Sequence, residues 1–192
     1  MTRTLTVCSL LLSATGVQAQ PTDSATLEKE FHEDSSRAFA HGQLNEVEEL
    51  AAARDESDPS AAAVRAKVLI LRGDYAAAEA LLAPVVEFAP ASSAGLVFGL
   101  LLAQVGRVSE ARPYLEGVVN LGLSSSRAVD KYRGGLGARA LGDFRQANGL
   151  LRSAALAAPT DPAIQEAWAD LFLEKYNKPD AVQSFTEALK LD

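Results

Sequence analysis

Three stretches of this chain share one grid. "RGDYAAAEALLAPVVEFAP" begins at Arg72, "VGRVSEARPYLEGVVNLGL" at Val105 and "LGDFRQANGLLRSAALAAP" at Leu141. Each carries a glycine corner (Gly73, Gly106, Gly142) and, two residues later, a bulky side chain (Tyr75, Val108, Phe144). Alanine stands five residues after each glycine (Ala78, Ala111, Ala147) and leucine nine after it (Leu82, Leu115, Leu151). A worn copy lies upstream, "HGQLNEVEELAAARDESDP", with Gly42, Leu44, Val47 and a closing Pro59. Another lies downstream, "KYNKPDAVQSFTEALKLD", with Ala181, Phe185 and Ala188, and with Tyr176 where the glycine should be. The intervals between corners are 31, 33, 36 and 34 residues. A period of that size means stacked supersecondary units.

Seven residues before each corner stands a small side chain: Ser35, Ala66, Gly99, Gly135 or Ala169. Apolar residues recur three and four apart, as at Leu96, Leu100, Val118 and Leu121, and runs with period-two alternation are missing. The spacing predicts pairs of helices crossing closely, with the small residue before the corner facing the alanine after it. Glycine at the corner allows a positive φ, so one helix stops and the next starts within a few residues. Pro90 and Pro159 close two of the second helices, because proline cannot continue a helix interior.

This grid resembles the tetratricopeptide repeat, over residues 28 to 192. The resemblance implies an all-α, right-handed superhelical solenoid of antiparallel helix pairs with about five repeats. The units fall near 28–59, 60–91, 92–127, 128–161 and 162–192. Three departures stand out. Arg54 sits where the first unit should have a small apolar residue, and the last unit has lost its corner glycine. The third unit ends at Leu123 instead of a proline and carries two extra residues around "LGLSSSR". Misfits at the two ends are expected of capping repeats.

The grid also disposes of two short words in the text. Arg72-Gly73-Asp74 spells an adhesion tripeptide, but the same corner recurs at Gly142 without the arginine. Asp74 is the carboxylate expected at the positive end of the following helix. "GLGARA", Gly135 to Ala140, matches a dinucleotide fingerprint, yet that chemistry needs a strand before the glycines. The preceding "SRAVDKYRG" is polar and helical. Gly134, Gly135 and Gly137 therefore fall inside a first helix, at about 1 kcal/mol each against alanine. That cost predicts a helix pinched between its neighbours and the softest of the array.

The first residues, "MTRTLTVCSLLLSATGVQAQ", combine Arg3, an apolar run from Leu5 to Val17 and a small-x-small site at Val17-Gln18-Ala19. They read as a secretory signal peptide, 1–19, cleaved after Ala19, with 20–27 a short linker, which places the protein in the periplasm or outside the cell. The run is too short to span a bilayer stably. Cys8, the only cysteine, lies inside it, so the mature chain has no disulfide and no thiolate ligand. The net charge of −7 becomes one more negative without Arg3, which disfavours nucleic-acid backbones. His32 and His41 are the only imidazoles and are read as solvent-facing helix residues. Neither suits a metal site or a Ser-His-Asp arrangement, and the carboxylates fall singly along helix faces. The expectation is a protein that is not an enzyme and has no cofactor and no metal.

In the resembled family the first helices line a concave groove. Side chains ten, six and three residues before each corner share one helical face. They are Ala63, Lys67 and Ile70, then Leu96, Leu100 and Ala103, then Tyr132, Leu136 and Arg139, and last Glu166, Asp170 and Leu173. Leu96, Leu100, Tyr132 and Leu136 form either an exposed apolar patch framed by Lys67 and Arg139 or a core covered by neighbouring helices. Tyr132 and Arg139 favour contact with a partner. The expected role is a non-catalytic scaffold holding a protein or peptide partner in this groove. Two other readings stand beside it. One is the N-terminal interaction region of a larger secreted enzyme or envelope complex; the other is self-association through the C-terminal helix pair.

Overall fold

The structure is a computed structural model that describes residues 24–175 and 177–191. The signal-peptide assignment and Tyr176 lie outside the described residues. Among these residues there are ten helices and no strand: α1 (Ser24–Ala40), α2 (Leu44–Ala52), α3 (Pro59–Leu71), α4 (Tyr75–Phe88), α5 (Ser93–Gln104), α6 (Val108–Ser124), α7 (Ala128–Ala140), α8 (Phe144–Ala157), α9 (Pro162–Glu174) and α10 (Lys178–Leu191). They form five consecutive pairs. Helix α1 starts at Ser24, four residues ahead of the expected start of the array and inside the segment assigned as linker.

The corners are built alike. Gly42, Gly73, Gly106 and Gly142 all have positive φ, between 68° and 87°. The Gly73 N–H donates to the Ile70 carbonyl at 3.0 Å, and the Asp74 N–H reaches back to the Leu69 carbonyl at 2.9 Å. The same two bonds recur at the other three glycines and satisfy carbonyls that the helix end leaves unpaired. The longer-range of them persists in the fifth unit, from Asn177 N–H to the Phe172 carbonyl at 3.0 Å. Asp74 then accepts from the Ala77 N–H, and Asp143 from the Gln146 N–H, each at 3.0 Å. Arg72 pairs with Glu48 at 2.7 Å. Gly73 and Asp74 are occupied in making the corner, and the Arg72 side chain in an ion pair with α2.

Pro59 corrects one expectation. It does not close the first unit but opens the second, as the first residue of α3. At that position the missing N–H would have had no helical partner, and Asp58 caps the turn through the N–H groups of Ser60 and Ala61. Helix α2 has already ended at Ala52.

The close crossings are where the grid put them. Ala78, Ala111 and Ala147 are all 0% exposed, and the small residues opposite them, Ser35 to Ala169, are buried. A methyl added at Gly135 would meet the Leu151 side chain at 2.7 Å, and one at Gly99 would meet Leu115 at 2.9 Å. Leu82, Leu115 and Leu151 are fully buried in the seams, each contributing about 1.5–3 kcal/mol relative to exposure.

Candidate functional site

Every first helix contributes to one hollow, and no second helix does. Its volume is about 320 Å³, with walls that include Phe31 of α1, Lys67 of α3, Leu96 of α5, Tyr132 of α7 and Glu166 of α9. The array curls far enough for α1 to touch α7 and α9, so the concave side is partly closed by the chain itself.

Glu28 makes the main joint. Its carboxylate accepts from Ser60 Oγ at 2.5 Å, from Arg133 at 2.7 Å and from Arg54 at 3.1 Å, tying α1 to α3 and α7. Burial alone would raise its pKa. The Ser60 hydroxyl and the Arg133 guanidinium outweigh burial and hold it below the ordinary carboxylate range. Arg54, the misfit of the first unit, also pairs with Asp58 at 2.5 Å and lies 4.3 Å from the centre of the Phe31 ring.

His32 makes the second joint, which corrects its reading as solvent-facing. Its Nε2 lies 3.2 Å from an Asp161 carboxylate oxygen, and its ring centre is 5.3 Å from that of Tyr132. Helical-face reasoning within the first unit could not place it, because the partners come from the fourth and fifth. Sequence reasoning missed Glu28 and Arg133 for the same reason. Arg133 stands one residue off the expected stripe.

Of the stripe itself, Lys67, Leu96, Tyr132, Leu136 and Glu166 line the hollow. Ile70 and Leu100, one turn further on, are half-buried against the central core. Arg139 is taken up by ion pairs across α7 and α9, with Asp170 at 3.5 Å and with Glu174. The exposed apolar patch is therefore not there as a unit: Leu96 is only 5% exposed, covered by the helices around it.

Lys67 is the chemically distinct member. Solvent reaches it through the hollow, and its ammonium stands 5.7 Å from the centre of the Phe39 ring with no carboxylate partner among the described residues. The surrounding protein and the nearby Arg133 charge push its pKa down. Tyr132 is pushed the other way, up, by burial and then by the Asp161 and Glu166 carboxylates.

A second, apolar cleft of about 340 Å³ runs between α1 and the last helix pair, bordered by Arg37, Ala40, Glu166, Phe185, Ala188 and Leu189. Thirteen residues after the corner, Val86, Val119 and Ala155 are buried under the next unit. The equivalent Leu189 is 78% exposed. Ile164 of α9 packs on Ala154 and Ala155; no described helix does this for α10.

No protein-family model matches the chain, and no curated protein matches it. Solved structures do. MamA from Desulfovibrio magneticus RS-1 is 21% identical, covering 88% of this chain and 96% of that one, with a TM-score of 0.46. A thermophilic TPR protein of Thermus thermophilus, TTC0263, is 20% identical over 85% of this chain and 91% of its own, with a TM-score of 0.57. With the glycine corners, the buried alanine grid and five helix pairs, the likeness to the Thermus protein gives this chain the fold of a TPR-like helical solenoid.

Proposed function

We propose that the protein is a non-catalytic scaffold that binds a protein or peptide partner on its concave face, in an exported setting. The observation that carries this reading is Lys67. Lys67 is an exposed cation that opens into the hollow beside Phe39 with no carboxylate against it among the described residues, and such a group is available to a ligand that binds there. Tyr132 and Glu166 on the facing helices supply an amphipathic ring and a second charge to the same space. Ile70, Leu100, Arg139 and Asp170 serve in this reading as the supporting turn behind the contact residues. Export rests on the sequence of residues 1–19.

The test is photo-crosslinking in the native cell, with a photoreactive amino acid in place of Lys67 or Glu166. The control carries it in place of Glu87, an exposed residue of α4 that does not line the hollow. Adducts from Lys67 and Glu166 but not from Glu87 are expected. Adducts from Glu87 alone would overturn the reading.

A second reading rests on Leu189. Its exposure, at a grid position buried in the second, third and fourth units, favours self-association through α9 and α10. Sedimentation equilibrium of the wild type and of Leu189→Glu decides it: a dimer lost in the variant supports it, and a monomer in both removes it.

A further inference from the structure

Resting on the reading that the concave face takes a partner, we propose that α1 is a displaceable occupant of that face. The partner that replaces it is an amphipathic helix with a carboxylate one turn before an aromatic ring.

The chemistry is read from the present occupant. Glu28 and Phe31, three residues apart on α1, both address Arg54, and Glu28 also takes Arg133 and Ser60. With α1 set aside, Arg54 and Arg133 keep Asp58 and Asp130 but lose Glu28, the carboxylate they share, while Asp161 and Glu166 stand near Tyr132, which lines the same hollow. A carboxylate in the place of Glu28 complements the Arg54–Arg133 end of that surface.

The fit of α1 is loose where it meets the far end of the array. Cavities of about 320 and 340 Å³ lie on either side of it. His32 Nε2 is buried near Asp161 yet makes no well-aligned hydrogen bond. Seams between the middle units, by contrast, are filled by Leu82, Leu115 and Leu151. Close packing is what makes an interface costly to open; α1 has it against α2 and α3 through Phe31 and Ala38 and lacks it towards α7 and α9. A helix is about 10–12 Å across, so a partner helix enters only when α1 leaves. The apparent affinity then scales with the fraction of chains that are open.

The test uses the full chain and a fluorescein-labelled synthetic peptide copying residues 24–40, followed by fluorescence anisotropy, with circular dichroism confirming the fold of each variant. Glu28→Gln in the chain weakens the joint and leaves the receptor intact, so the peptide binds about tenfold more tightly. Glu28→Gln in the peptide reverses the gain. Arg133→Gln in the chain loosens the joint from the other side but removes the receptor, and gives no gain. Should Glu28→Gln fail to fold, His32→Ala weakens the joint at Asp161 and is expected to tighten binding in its place. Equal binding by the Glu28 and Arg133 variants, or no gain from any joint variant, overturns the proposal. Crosslinks from the hollow alongside a failed peptide experiment would sink the displacement alone; no crosslinks from the hollow would sink the scaffold reading.

Discussion

Gly122 of α6 and Gly134 of α7 meet backbone to backbone: a methyl on Gly134 would lie 3.1 Å from the Gly122 Cα, and one on Gly122 would lie 2.9 Å from the Asp130 carbonyl oxygen. Neither contact can yield by rotating a side chain. Gly122→Ala and Gly134→Ala are each expected to destabilise by about 1–3 kcal/mol, although alanine is the better helix former. Gly149 is the control, with open space around its added methyl, and Gly149→Ala should stabilise by about 0.5–1 kcal/mol. Urea unfolding of the three variants checks the signs.

Glu28 makes stability depend on pH at the acid end. Its folded pKa is depressed, so its contribution is fully present above the unfolded value of about 4.3 and is lost as pH falls through the folded value. Glu28→Gln should cost about 1 kcal/mol at pH 7, allowing for solvent screening of a half-buried group. The difference from the wild type should vanish as pH is lowered below about 4. Urea midpoints measured from pH 7 to pH 3 test this, and a difference that stays constant counts against the joint.

Lys67 works in the opposite sense. The fold disfavours its proton, a penalty fully present below the folded pKa and gone above the unfolded value of about 10.4. Solvent reaches the ammonium and screens it, so Lys67→Met is expected to raise the thermal midpoint at pH 7 only slightly, with the gain shrinking at strongly alkaline pH. A lowered midpoint at pH 7 would show that the ammonium is a net stabiliser.

The open face of the last unit separates two leucines of similar appearance. Leu151→Ala should cost about 2–5 kcal/mol, because the side chain is fully enclosed between α8 and its neighbours. Leu189→Ala should stay within about 0.5 kcal/mol. Chemical denaturation of the two variants makes the comparison.

The grid made the pairs, corners and crossings legible because they are local: Gly73 and Asp74 act within one turn, and Ala78 meets a residue of its own unit. The pinch expected at Gly134, Gly135 and Gly137 is present, since those positions sit against α6 and α8. The site was legible only in part. Lys67, Leu96, Tyr132, Leu136 and Glu166 were placed on the hollow by the inherited stripe, although Leu96 is mostly covered there by its neighbours. Glu28, His32 and Arg133 were not legible, because their meeting depends on how far the array curls, a sum of small rotations that no single unit encodes.

The Glu28–Arg133 bond joins residues 105 positions apart, in an array where most packing runs between adjacent units. A linear stack unravels from its ends inward, each unit leaving at its own cost. Here the opening pair is tied to the fourth, so fraying at the front first demands that a closed circuit be broken. The protein should lose its helices in a sharper, more concerted step than an untied stack of the same length.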